Sequence, residues 1–312
     1  MSSRNSFVIG ARSSRLSLIQ ANTVLAALTA AHPEARFVLR EFTTTGDRLL
    51  DTPLPLLGGK GVFTDEIESA LLSEEIDFAV HSLKDLPVEQ RAGLTVGAVP
   101  VRESVADVLI GRTAPTLEAL PVRAHVGTSS LRRAAQLRRS RPDLDPISIR
   151  GNVETRLRKL DDPAHGFDAI VLARAGLDRL GLLDRATQEL PVAEFLPAPG
   201  QGALAVQCRD DAASLDLAAS IGDMATTLAV AAERSFLSSL GGGCSTPVGA
   251  LGEVEQGRIR LMGRVVALDG SRSVDVSLED DCPSVEAALA AGRDLARQAM
   301  ALGAEKLLGV PS

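Results

Sequence analysis

The chain is 312 residues long, enough for two or three domains that each bury a core. It is 45% hydrophobic with no Trp, no Tyr and only 8 Phe, so those cores are built mainly from Ala, Leu and Val. With 33 Lys and Arg against 40 Asp and Glu the net charge is −7, which disfavours non-specific nucleic-acid binding but leaves room for a local basic cleft.

The first nine residues, Met1 to Ile9, lack the long apolar region and processing site of a signal peptide, and no apolar run reaches the ~18–20 residues that span a membrane. A soluble cytoplasmic protein is expected. Short β-rich runs then alternate with helical patterns, the signature of α/β layers. Strands are predicted at 7–9, 37–42, 78–81, 94–99, 108–110, 125–126, 147–149, 169–172 and 203–207. Helices are predicted at 15–30, 65–72, 131–140, 153–160 and 175–180, where apolar residues recur at three- and four-residue spacings. A long Ala-rich helix follows at 224–240. The tail changes character: 248–251, 258–266 and 273–278 alternate like a small antiparallel sheet, and 284–302 reads as a closing helix. Two α/β domains and a smaller α+β C-terminal domain are expected.

Cys208, Cys244 and Cys282 are odd in number and widely spaced, without a CxxC pair, and the four histidines are scattered. Reduced thiols and no structural metal follow. Three helix starts carry arginine where the helix dipole disfavours cations. Arg132 and Arg133 follow Thr128-Ser129-Ser130; Arg12 and Arg15 flank Ser13-Ser14; Arg150 and Arg156 bracket Gly151-Asn152. Lys60 lies between glycines just ahead of Phe63-Thr64. Any one of these arginines is most simply a solvated surface charge. Three repeats point instead to a cleft that grips several carboxylates or phosphates through bidentate guanidinium groups.

Two further loops complete the pattern. In His81-Ser82-Leu83-Lys84-Asp85-Leu86-Pro87 a strand delivers its polar tip into a loop stiffened by proline, where Asp85 can steady a developing positive charge or handle a proton. In Gly241-Gly242-Gly243-Cys244-Ser245-Thr246-Pro247 a cysteine sits in a glycine-rich loop with its sulfur approachable. Taken alone, that cysteine is equally a free thiol in a turn or the anchor of a covalently carried group.

Six separated segments resemble, in order, those of the porphobilinogen deaminase (hydroxymethylbilane synthase) family: His81–Pro87, Val126–Arg133, Arg150–Leu157, Leu172–Leu177, Pro199–Ala203 and Gly242–Cys244. The resemblance implies a dipyrromethane cofactor joined to Cys244 by a thioether. Four porphobilinogen units are added to it head to tail with loss of ammonia, and hydrolysis releases hydroxymethylbilane. Asp85 matches the family's catalytic carboxylate, with Lys84 beside it. The resemblance gives cofactor contacts to Lys84, Asp85, Thr128, Ser129, Ser130, Arg132, Arg133 and Gly202, and substrate contacts to Arg12, Ser14, Lys60, Phe63, Arg150, Arg156 and Arg179. It carries no role for Arg174, for which an ordinary salt bridge is expected. It further implies two domains like those of the two-lobed periplasmic binding proteins, residues 1–101 with 201–222 and residues 102–200, and a third at 223–312 bearing the cysteine loop. A monomer acting on polyanionic pyrroles, without nucleic-acid or membrane partners, is the expectation. A two-lobed small-anion binding protein and a non-catalytic relative stay open as rivals at this point.

Overall fold

A computed structural model describes residues 5–44, 46, 64–242 and 246–308. The chain divides into two compact units, Met1–Arg102 with Ala203–Thr227, and Glu103–Gly202 with Leu228–Ser312.

The first unit is built on a five-stranded mixed sheet. Its strands are β1 (Ser6–Arg12), β2 (Arg36–Phe42), β3 (Phe78–Ser82), β4 (Leu94–Ala98) and β10 (Leu204–Arg209), in the order β2-β1-β3-β10-β4. β1 runs parallel to β2 and β3, whereas β10 is antiparallel to both β3 and β4. Helix α1 (Arg15–Ala31) buries Gln20, Ala21, Val24 and Leu28, an i, i+1, i+4, i+8 face. Val24 and Leu28 pack with Ile9, Phe37, Phe78, Val80 and Val206 from the sheet. Helix α2 (Asp65–Leu72) opens on Asp65, Glu66 and Glu68, acids that suit the positive end of its dipole, and closes a second small core around Ile67, Leu71 and Ile76.

The second unit repeats the sheet plan. Strands β5 (Asp107–Gly111), β6 (His125–Gly127), β7 (Asp145–Ile147), β8 (Ala169–Ala173) and β9 (Gln188–Glu189) lie in the order β7-β6-β8-β5-β9. β6 is parallel to β7 and β8, and β5 is the antiparallel fourth member. In the first sheet that fourth strand, β10, is the first after the chain re-enters the unit at Ala203; in the second it is β5, the first after the chain enters at Glu103. Helices α3 (Leu131–Ser140), α4 (Val153–Asp161) and α5 (Arg174–Leu180) accompany this sheet. The same unit holds the three-stranded antiparallel sheet of β11 (Val248–Glu255), β12 (Arg258–Val266) and β13 (Ser273–Asp281), with α8 (Val285–Ala301) and, from Leu228 onward, α7 (Met224–Ser239). Arg264 of β12 donates to the carbonyls of Ala193 and Glu194 and pairs with Asp275, tying this sheet to the 193–196 segment.

Two differences from the sequence expectation have local causes. β7 covers Asp145–Ile147 rather than 147–149. The chain leaves the sheet after Ile147 because the Ile149 carbonyl accepts from Ser129 Oγ at 2.6 Å, while the Ile149 side chain is buried under α4 with Leu157 and Leu160. Helix α6 (Ala212–Ala219), absent from the expectation, is started by Asp211, whose carboxylate accepts from Ser214 N at 2.9 Å. Among the described residues no single helix is long and apolar enough to cross a membrane, and no cluster of His, Cys, Asp or Glu has metal-site geometry.

Candidate functional site

The polar residues singled out in the sequence form one set in each unit, and Lys60, Phe63 and Cys244 lie outside the described residues.

In the first unit the Leu83–Asp85 segment is a single 3₁₀ turn at the end of β3. Side chains three apart eclipse in such a turn. Leu83 and Leu86 are each buried to 1% exposure and pin the turn from beneath, which leaves Asp85 exposed and Lys84 half-buried. The Leu83 N–H donates to the Ala203 carbonyl at 3.0 Å, so β10 also holds the turn. Half-buried Arg12 ends β1, and Ser14 caps α1 by accepting from Ser17 N at 3.3 Å. Ser14 therefore has a structural task besides any contact with an anion.

His81, two residues before Leu83, is buried, and its Nε2 has no hydrogen-bond partner. Burial lowers its pKa to about 4, the Arg12 charge adds to the drop, and the Gln207 side chain opposes it. His81 is thus neutral through the physiological range. An unfolded chain takes up the proton as pH falls below the ordinary value of 6.5, while the folded one does not until about 4. Stability is therefore lost across that window, by about 3 kcal/mol in all from this group. His81→Gln is expected to flatten the pH 4–6.5 limb of urea-unfolding stability; an unchanged slope would assign the loss to other groups.

The second unit brings together three hydroxyls and two arginines at the start of α3. Thr128 Oγ1 accepts from Ser130 N at 3.2 Å, Ser130 Oγ caps the helix at Arg133 N, and Ser129 Oγ bridges to Ser148 Oγ at 3.0 Å. Arg132 and Arg133 are 3% and 7% exposed, so the surface-charge explanation fails for both. Their anion is internal: Asp107, at the first position of β5 and 1% exposed, receives Arg132 Nη2 at 2.8 Å and Arg133 Nη2 at 2.7 Å. Burial alone would push the Asp107 carboxyl up, but the two guanidinium charges hold it well below the usual carboxylate range. Arg132 Nη1 donates to the Leu196 carbonyl at 2.7 Å and Arg133 Nη1 to the Val171 carbonyl at 3.3 Å. The Nε atoms of both remain buried without a partner. Sequence reasoning missed Asp107; the available signal was a lone acid inside the apolar run Val105–Ile110.

At the start of α4 Asn152 caps Thr155 N at 2.8 Å. Gly151 has φ +113°, and a Cβ there would stand 2.6 Å from Thr155 Cγ2, so the turn needs glycine. Half-buried Arg156 folds back to donate from Nε to the Gly151 carbonyl at 2.8 Å, and Lys159 Nζ reaches the carbonyl of half-buried Arg150 at 3.2 Å. Arg179 donates to the Gly202 carbonyl at 2.8 Å; burial lowers its pKa, with Glu103 and Asp178 opposing. Gly202 has φ +86° and a Cβ there would lie 2.5 Å from the Glu103 carbonyl oxygen, so its own requirement is one of backbone packing. Arg174 pairs with Glu189 of β9, as an ordinary salt bridge.

The two described cysteines are both buried. Burial pushes the Cys208 thiol up to about 11 and raises that of Cys282, so neither is a ready thiolate.

Comparison with known proteins accounts for this arrangement. Residues 7–216 match the family model described as porphobilinogen deaminase, dipyromethane cofactor binding domain, and residues 227–301 match porphobilinogen deaminase, C-terminal domain. The chain is 49% identical over 306 residues to the porphobilinogen deaminase of Desulforudis audaxviator, covering 98% of this chain and 97% of that one. It is 46% identical to that of Syntrophobacter fumaroxidans, covering 96% of each, and 47% identical to that of Brevibacillus brevis, again covering 96% of each. With both family regions present in order and nearly full-length relatives at this identity, the chain belongs to the porphobilinogen deaminase family: a transferase of tetrapyrrole biosynthesis that deaminates porphobilinogen and polymerises it on a dipyrromethane cofactor.

Proposed function

We propose that the two polar sets divide the work of this reaction. The set at the start of α3 holds the carboxylates of the dipyrromethane, and the Lys84–Asp85 turn serves the porphobilinogen whose ammonia departs. One observation carries the assignment: two guanidinium groups are buried at a capped helix N-terminus, and each keeps an Nε–H with no acceptor. Buried donors without partners are costly, and carboxylate oxygens are the acceptors guanidinium groups fit best. The residues present therefore suit a group bearing acetate and propionate arms. That group, when bound, supplies the carbon nucleophile to which the first pyrrole is joined.

This chain's own residues do the rest. Arg132 and Arg133 orient carboxylates, helped by the Thr128, Ser129 and Ser130 hydroxyls and the N-terminal amides of α3. Asp85 stands in solvent on a turn held rigid by Leu83 and Leu86, placed to accept from a pyrrole N–H and to stabilise the cation left on porphobilinogen as ammonia leaves. Lys84 adds a positive charge for substrate carboxylates. Arg12, Arg150 and Arg156 are proposed to meet the propionates and acetates of substrate; Arg179, engaged with the Gly202 carbonyl, is proposed to hold the backbone at Gly202. Cys244 is proposed as the thioether anchor, a reading supported by the raised thiol pKa values of Cys208 and Cys282. Gly202, in our reading, shapes the chain rather than touching the cofactor.

The arginines test this division. Parent, Arg150→Leu, Arg156→Leu and the two Lys replacements are given limiting porphobilinogen, and the bound pyrrole number is read from intact mass. Each Leu variant is expected to stall at a characteristic ring number, because losing a hydrogen-bonded charge partner costs ~2–5 kcal/mol. The Lys variants recover only in part, since an ammonium lacks the two-pronged grip. Parent-like progress by all four would remove these residues from the substrate path.

A further inference from the structure

We infer that Asp107 is the internal counter-ion that keeps the Arg132–Arg133 pair buried, charged and aimed before any pyrrole carboxylate arrives, and is thus a positioning residue for cofactor acquisition. The inference rests on the reading above that this pair receives cofactor carboxylates.

Two arginines adjacent in sequence, in the first turn of a helix, face three penalties at once. They repel each other, they oppose the helix dipole, and they are almost wholly removed from water. The chain answers with one carboxylate shared between them. Asp107 Oδ2 takes Arg132 Nη2 at 2.8 Å, and Oδ1 takes both Arg133 Nη2 at 2.7 Å and Gln201 Nε2 at 2.8 Å. Gln201 is itself fully buried and also donates to the Val105 carbonyl at 2.7 Å, so the carboxylate is braced from behind. The carbonyls of Leu196 and Val171 take the other arm of each guanidinium and fix its plane. Leu196 is held in turn by Gln136 of α3, which donates to its carbonyl at 3.1 Å and accepts from its N–H at 2.9 Å.

The stoichiometry matters. One carboxylate against two guanidinium groups leaves the cluster with a net charge of +1, and the two Nε–H groups remain unspent. A second internal acid would have neutralised the cluster and removed its attraction for an anion. No acid at all would have left two buried like charges with nothing to hold them. With one, the cluster is stable without ligand yet still short of negative charge, so an arriving carboxylate meets donors already in place.

The test uses the full chain. Asp107→Asn keeps the shape, loses the charge and turns an N–H donor toward a guanidinium. Its thermal midpoint is expected to fall by roughly 10 °C. The share of chains carrying a two-pyrrole adduct by intact mass is expected to fall about tenfold. The double variant Asp107→Asn, Arg133→Gln returns the cluster to a net charge of +1, and its midpoint should recover most of the loss. A brace acting by shape alone would leave the double variant below either single one. Parent-like midpoint and adduct in Asp107→Asn, or additive losses in the double variant, would overturn the counter-ion role. Should Asp107→Asn not fold, a folded double variant supports the inference and an unfolded one overturns it. Absence of the adduct from the parent chain would instead sink the cofactor reading, leaving the thermal comparison to decide the counter-ion role separately.

Discussion

Replacing Asp85 by Ala is expected to leave a folded, cofactor-loaded protein that turns porphobilinogen over ~10²–10³ times more slowly. The fold should survive because the turn is anchored by Leu83 and Leu86, both buried, and by the Leu83 N–H bond to Ala203, none of which involves the exposed Asp85 carboxylate. The loss should fall on kcat more than on KM, since the proposed partner is a charge that exists mainly in the transition state. Cofactor content has to be measured on the same preparation, because its assembly draws on related chemistry. Steady-state rates normalised to the adduct decide the matter: near-parental turnover in loaded Asp85→Ala would remove the carboxylate from the mechanism.

The second large effect concerns attachment. Cys244→Ser is expected to abolish the covalent two-pyrrole adduct altogether, while Cys208→Ser and Cys282→Ser retain it on the peptide that contains Cys244. The contrast follows from surroundings. Cys208 lies in β10 between β3 and β4, fully buried, with its thiol raised to about 11, and Cys282 is buried at the end of β13. Either of those variants should cost stability rather than loading. Denatured intact mass followed by peptide mapping gives the answer, and a normal adduct on Cys244→Ser would transfer the anchor elsewhere.

Periodicity located most of the frame, because the elements concerned carry their own signals. Helix α3 falls on 131–140 as expected, with a Ser130 cap ahead of it and Leu137 on the buried face. β12 falls on 258–266, which opens with the alternation Arg258-Ile259-Arg260-Leu261. The misses came where tertiary partners outrank local pattern. Ile149 looks like the end of a strand, yet its carbonyl is claimed by Ser129 from 20 residues away. Helix α6 had a readable Asp211 cap, but its stretch of Ala and Leu shows little amphipathic contrast to set it apart.

Within the site, the residue types were legible and their partners were not. The crowding of Arg132 and Arg133 at a helix start pointed to an arriving anion, and the partner the structure shows is an internal one. Asp107 shows locally only as a lone acid in an apolar run; that β5 brings it to these two arginines depends on strand order in a mixed sheet. The same limit applies to Arg156, whose Nε is spent on the Gly151 carbonyl only because that glycine turns at φ +113°.

The antiparallel fourth strand of the first sheet also bears on how the chain is made. β3 and β4 are synthesised early, but the strand that lies between them, β10, begins only at Leu204. Until it leaves the ribosome, β4 has no neighbour in its sheet. The five strands β5–β9, by contrast, lie in one continuous stretch and emerge complete. At ~5–20 residues per second, the later sheet is complete about 1–4 s before the earlier one can close. Nascent chains should thus acquire order from the middle outward, with the N-terminal sheet waiting, its gap open, for a strand encoded more than 100 residues downstream.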